Sequence, residues 1–129
     1  MKLYFFLCDP ATEAECLTRQ LLGTTSSNVE WALKIVPGNE LFLYNFQTGD
    51  IWGPFEAVST ADCYEKCAWG GRFPVQIRVA KTPATRKGNL ITANRREFLT
   101  SRGSRPPHVL NDPLASGLLS WMSQQGTDL

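Results

Sequence analysis

The residues from Pro37 to Val79 give the clearest indication of how the chain folds. It contains three blocks: PGNELFLYNF (37–46), GDIWGPFEA (49–57) and AWGGRFPVQIRV (68–79). Apolar and aromatic residues fill the first two blocks, and turn-forming residues lie before and between them. They therefore predict two strands, at 41–46 and 51–58, joined as a hairpin.

The same stretch predicts a curled sheet. Gly53-Pro54 interrupts the second strand, which is typical of a bulge or a bend. An insert at 59–71 follows, and then a further strand at 73–80, where Pro74 indicates an edge or a bulge. Several strands with few helices predict the α+β class, as a small, curled, mixed β-sheet or barrel with flanking helices.

The residues before this stretch predict a strand, a helix and another strand. Residues 3–8 are aromatic and aliphatic, which is typical of a buried strand. Thr12 and Glu15 fit a capping box, and Gly23 fits the end of the helix that follows. Alternation of apolar and polar residues at 29–35 predicts a strand with one buried face.

The residues after it are more polar. They predict a basic, mobile loop at 82–89, a short strand at 90–92 and a short helix at 95–99. Asn111 and Asp112 precede a final helix with Pro113 in its first turn.

Length and composition favour one domain over residues 1–129. The chain has 129 residues, 43% of them hydrophobic, which is enough for one core. Apolar runs are far shorter than the ~20 residues of a membrane span, so we expect no membrane association and a cytoplasmic or nuclear protein. The four cysteines are then expected as reduced thiols.

Charge divides the chain into an acidic and a basic half. Residues 1–65 carry three basic and nine acidic residues, whereas 66–108 carry ten basic residues against the single acidic Glu97. A near-neutral protein with one strongly basic half indicates a polyanionic partner, although a solvated basic loop would give the same count.

The three blocks resemble the development and cell death (DCD) domain, whose pattern runs PG-x-x-LFL-[FY]-N, G-x-FEA, and a Trp ahead of FP-x-Q-[VI]-R-V. The N-terminal segments at 6–9, 15–17 and 20–23 resemble it too. The resemblance implies a PUA-like fold, related to the YTH and EVE domains. Those domains read nucleic acid, so it also implies a reader of a flipped or modified base in single-stranded RNA.

Trp69-Gly70-Gly71-Arg72-Phe73 is similar to the W-K-G-R-F run of YTH domains. The resemblance implies that Trp69 and Tyr64, five residues earlier, stack on a base, while the third YTH wall falls near Thr24. A stacked base contributes ~1–3 kcal/mol per aromatic wall. The alternative is that Trp69 packs in the core and Tyr64 lies on the surface.

Further residues complete the predicted interface. Asp9 and Asn45 are candidates to read the base edge, and Trp52 is a candidate exposed aromatic residue, whereas the phase of Trp31 predicts a core position. The cations predicted to hold phosphates, which position a strand without reading its sequence, are Arg72, Arg86, Lys87, Arg95, Arg96, Arg102 and Arg105.

Metal binding and catalysis are not predicted. Only Cys63 and Cys67 have a zinc-like spacing, and His108 is the single histidine. We therefore expect no metal, no cofactor and no enzymatic activity. The competing functional class is a protein–protein interaction module of the stress and cell-death type, with no nucleic-acid ligand.

Overall fold

The computed structural model describes residues 1–99 and 107–128, so Arg102 and Arg105 lie outside the described residues. Its elements are β1 (Lys2–Cys8), α1 (Pro10–Arg19), β2 (Leu21–Thr24), α2 (Val29–Ala32), β3 (Glu40–Asn45), β4 (Asp50–Ala57), β5 (Val75–Asn89), β6 (Val109–Asn111), α3 (Leu114–Gln125) and β7 (Thr127–Asp128).

The strands form one curled, mixed sheet. Its order is β2-β5-β4-β3-β1-β6, with β7 paired to β5. β1 runs parallel to β3, and the remaining pairs are antiparallel. The β4–β5 register shifts between Gly53 and Phe55, which confirms the predicted bulge at Gly53-Pro54. The α+β prediction is confirmed.

The sheet has a core on each face, because side chains of β1 alternate between them. Tyr4 and Phe6 face the side on which α1 and the insert pack, whereas Leu3 and Phe5 face the side covered by α3. Burial on both faces explains why β1 is an almost continuous apolar run.

The first helix begins three residues earlier than the capping box predicted. Asp9 is the N-cap: its side chain accepts hydrogen bonds from the backbone of Ala11 and Thr12, and Thr12 completes the capping box. The helix ends at Gln20 in a left-handed conformation, so Gly23 lies in β2 instead of closing the helix.

The predicted strand at 29–35 is wrong. A 3-10 turn (Ser26–Asn28) leads into the short helix α2, and Ala32 and Ile35, three residues apart, are the buried positions. Val29 and Leu33, which share the alternating phase, are exposed. Seven residues are too few to separate a period of two from a helical repeat.

The predicted mobile loop at 82–89 is also wrong. β5 continues to Asn89 because its second half pairs with β4, from Arg86 opposite Gly53 to Asn89 opposite Asp50. Residues 90–92 form a turn rather than a strand, while the final helix is confirmed as α3. No helix in the described part of the chain has the length and apolar character needed to cross a membrane.

Candidate functional site

A cavity of about 330 Å³ opens at the carboxyl end of β1. The pairing of β6 with β1 covers Lys2–Tyr4, and the cavity begins beyond it, at Phe5. Its walls come from β1, α1, β2, α2 and the residues between the insert and β5. The lining residues are Phe5, Leu7, Cys8, Asp9, Thr12, Gly23, Thr24, Thr25, Asn28, Trp31, Phe46, Arg72, Phe73 and His108.

One wall of this cavity is a stacked pair of rings. The Trp31 indole and the His108 imidazole lie 4.6 Å apart at 14°, and the edge of Phe6 supports the indole from behind at 5.1 Å. Trp31 therefore packs against the core, as its phase predicted, and also lines the cavity. Its buried Nε1 donates to no acceptor within residues 1–99 and 107–128.

The polar end of the cavity is built around Asp9. Oδ1 accepts the backbone N–H groups of Ala11 and Thr12, at 2.9 and 3.0 Å, which fixes the carboxylate at the start of α1. Oδ2 lies 4.0 Å from the Arg72 guanidinium, and the side chain is 21% exposed. Asp9 thus lines the cavity, with one oxygen bonded to the start of the helix and one beside Arg72.

Arg72 forms the mouth of the cavity. Its side chain is 57% exposed, its ion pair with Asp9 is long, and its guanidinium lies 5.2 Å from the centre of the Phe73 ring. A half-exposed, weakly paired arginine beside an aromatic wall is able to contact an anionic ligand without first losing a strong partner.

Trp69 lies behind the cavity wall, in the core. It is 4% exposed, its indole donates to the Thr12 carbonyl at 3.2 Å, and its backbone N–H donates to Glu15 at 2.8 Å. Its ring occupies the space beside Gly23, where an added Cβ would lie 2.6 Å from it. The ring packs on Phe73, which itself lines the cavity, so the contact of Trp69 with the site is indirect.

Tyr64 is partly buried in the insert, where it packs against the core on the α1 face, and it does not line the cavity. Its hydroxyl donates to the Thr60 carbonyl at 2.6 Å, and the Arg78 guanidinium covers its ring at 4.8 Å. Tyr64 and Trp69 therefore do not form the predicted pair of facing walls.

Asn45 and Trp52 are inaccessible to a ligand. Asn45 is fully buried, where its Nδ2 donates to Glu13 and its Oδ1 accepts from the backbone of Gln47 and Thr48, so it fixes the hairpin turn. Trp52 is 4% exposed and belongs to the core on the α1 face, with Lys87 over its ring.

Most of the predicted phosphate-binding cations among the described residues pair with acidic side chains. Arg86 pairs with Asp128 at 2.7 Å. Lys87 lies 3.8 Å from Asp50, and Arg95 lies 3.1 Å from Glu97. Arg96 is exposed, on the turn that follows β5. Arg72 is the one member of the predicted set, among the described residues, that lines the cavity.

The cysteines show no arrangement suited to metal. Residues 1–99 and 107–128 contain no cluster of three or more metal-ligating side chains. Cys8 and Cys16 are buried, and desolvation raises the pKa of the Cys16 thiol to about 12 and that of Cys8 further still. Both are protonated packing groups.

Trp31 and His108 are the site residues that sequence reasoning missed. The alternating pattern predicts a strand through Trp31, and His108 lies in a predicted loop with no catalytic partner in sequence. The polar run Thr24–Asn28 ahead of a lone tryptophan was the available signal, because polar residues next to an aromatic ring are typical of a binding loop.

Comparison with known proteins gives a family. The model of the development and cell death domain matches residues 3–96. The DCD domain-containing protein NRP-B of Glycine max is 39% identical over 84 residues, which are 59% of this chain and 26% of that protein. The B2 protein of Daucus carota is 38% identical over 84 residues, 41% of its length. The chain spans less than half of these relatives.

Solved structures share the fold. The Mmi1 YTH domain superposes with a TM-score of 0.68 at 17% identity, covering 95% of both chains. The YTH domain of Zygosaccharomyces rouxii MRB1 protein, in complex with N6-methyladenosine RNA, superposes with a TM-score of 0.67 at 13% identity, covering 95% of this chain and 87% of that one. These likenesses establish a YTH-like fold.

Proposed function

The chain belongs to the development and cell death domain family, and from that premise we propose that it binds RNA, taking one unstacked base of a single strand into the cavity at the end of β1. The YTH-like fold supports the proposal, since a structure of that fold was determined with RNA. The cavity is at the small end of the range for ligand sites, which suits one nucleoside and not a longer segment.

The observation that carries the proposal is the stacked wall of Trp31 and His108. A flat aromatic surface beside an opening is the common element of single-stranded RNA sites, because every base presents a π-face. Phe73 and Phe46 provide further apolar lining. A base that enters from water would therefore be stabilised both by stacking and by apolar contacts.

Asp9 and Arg72 would orient the bound nucleotide within this cavity. A carboxylate only accepts hydrogen bonds, so Oδ2 of Asp9 suits a base that presents an amino group. The guanidinium of Arg72, at the mouth, suits the phosphate that follows the base, and a phosphate contact positions the strand without reading it.

The test is a binding titration of labelled oligoadenylate, oligocytidylate and oligouridylate with Trp31→Leu. Leucine keeps an apolar side chain against Phe6 but removes the ring on which His108 stacks, so the flat wall is lost and RNA affinity should fall by ~1–3 kcal/mol. Tyr64→Leu is the matched control, because that ring lies outside the cavity, and it should leave affinity unchanged. No RNA binding by the unaltered protein, or equal losses in both variants, would overturn the proposal.

A further inference from the structure

A second cavity, of about 430 Å³, lies between the end of β5, the turn that follows it and the carboxyl end of α3. The proposed base site does not account for it, and the two cavities share no lining residue. Its lining residues are Asp50, Lys87, Gly88, Asn89, Thr92, Ala93, Trp121, Gln125 and Thr127.

The β3–β4 hairpin turn separates the two cavities. Phe46, at the start of the turn, lines the first cavity, and Asp50, at its end, lines the second. The backbone of Gly49 donates to the carbonyl of Asn45 at 2.8 Å, so the turn is tight. Four residues span at most about 14 Å, which a short single strand covers in crossing the turn.

The chemistry of the second cavity differs from that of the first. It combines a carboxylate, an ammonium group, two amides and two hydroxyls around one aromatic ring. The aromatic ring at the base of the cavity is tightly packed. Trp121 is 7% exposed and lies against Gly88, where an added Cβ would lie 2.9 Å from the ring. Many donors and acceptors with little free aromatic face suit a sugar–phosphate better than a base.

We propose that the second cavity binds the ribose–phosphate of a nucleotide adjacent to the one whose base enters the first cavity. The inference rests on the proposed function. Asp50, whose side chain is 25% exposed, accepts a hydrogen bond from the 2′-hydroxyl of that ribose. Lys87, whose side chain is 45% exposed and lies 3.8 Å from Asp50, contacts the phosphate. The site therefore distinguishes RNA from DNA, because the 2′-hydroxyl is the group that DNA lacks.

The decisive measurement compares oligoadenylate with oligodeoxyadenylate of the same length. The unaltered protein should prefer the RNA strand by about tenfold, the order expected for one hydrogen bond to a charged group. Asp50→Asn keeps the shape of the side chain and an acceptor for Asn89, which now donates to Asp50 at 3.0 Å, and should reduce the preference several-fold because a neutral amide replaces the charged acceptor. Asp62→Asn, an exposed acidic residue that lines neither cavity, should retain it.

Lys87 gives a second, independent readout. Lys87→Gln should weaken RNA binding and lower the slope of log affinity against log salt by about 0.7, the value of one phosphate contact on a single strand. Lys81→Gln is the matched control, because Lys81 is exposed on the same strand and lines neither cavity.

The outcomes separate the two proposals. If Trp31→Leu weakens oligoadenylate binding but Asp50→Asn leaves the RNA preference intact, the second cavity is not a ribose site and this inference is overturned alone. If the unaltered protein binds neither strand, the proposed function fails and this inference fails with it. Melting temperatures close to that of the unaltered protein confirm that each variant is folded.

Discussion

At the scale of single residues, two tryptophans lie in surroundings that their sequence context does not fully predict. Trp31 has the phase of a core residue on a strand, but its segment is helical, and its ring lines the cavity. Trp69 stands in a motif that implies a base-stacking role, but Gly23 leaves room for its ring in the core. The sequence therefore predicted that aromatic rings build the site, but not which rings, because the choice depends on a glycine 46 positions away.

The substitution Asp9→Asn separates the role of this residue in folding from its proposed role in base recognition. Asn is as good an N-cap as Asp, so Asp9→Asn should preserve the start of α1 and the melting temperature. It removes an oxygen that only accepts, whereas an amide both donates and accepts. We expect the unaltered protein to prefer oligoadenylate and oligocytidylate, whose bases carry amino groups, over oligouridylate, and Asp9→Asn to reduce that preference several-fold.

Two results would contradict this role for Asp9. One is tighter binding of oligouridylate by the unaltered protein, and the other is an unchanged base preference in Asp9→Asn. Loss of the ion pair with Arg72 in the variant should affect all three strands alike, so a uniform change in affinity does not count as a change in preference. The matched control is Asp112→Asn, at the surface beside the N-terminus.

At the scale of elements, the strands of the quoted stretch were predictable and the connections were not. β3, β4 and the start of β5 follow from apolar runs bounded by turn residues. The second half of β5 could not be predicted in this way, because its charged and small residues lack a strand pattern. Pairing with β4 orders them instead. Tertiary pairing of this kind outweighs local propensity.

One side chain of β5, that of Gln76, holds the insert at 59–71 in place through hydrogen bonds. Gln76 is 1% exposed, its Nε2 donates to the carbonyls of Glu65 and Phe73, and its Oε1 accepts the Glu65 N–H, each at 2.9 Å. Gln76→Leu leaves these backbone groups without partners and should lower the free energy of unfolding by about 1–3 kcal/mol. Trypsin should also cleave faster after the exposed Lys66.

Gln124→Leu is the control for that measurement, because Gln124 is exposed on α3 and its replacement should change stability by less than about 0.5 kcal/mol. Equal stability and equal cleavage rates for the two variants would show that the insert is held by its other contacts, such as the ion pair of Arg19 with Glu65 at 2.8 Å.

At the scale of the whole molecule, most described cations of the predicted set are distributed among ion pairs with acidic side chains. The sequence gives the number of cations but does not predict which acidic residues pair with them. Arg86 pairs with Asp128 at the end of the described chain, and Arg95 pairs with Glu97, two residues away. Among the described residues of the predicted set, Arg72 lines the first cavity and Lys87 the second, and the others line neither of the two. Net charge along a chain predicts a polyanionic ligand more readily than it predicts the contacts.

This distribution sets the salt dependence of RNA binding. Two phosphate contacts, at about 0.7 each on a single strand, predict a slope of log affinity against log salt near 1.4. Arg72→Gln should remove about half of that slope. Arg86→Gln should leave it unchanged, because Arg86 already pairs with Asp128 and donates to the carbonyl of Pro83 at 2.7 Å. Fluorescence anisotropy across a salt series measures all three values, and a slope several times larger that falls in Arg86→Gln would mean that the strand follows β5 instead of crossing the hairpin turn.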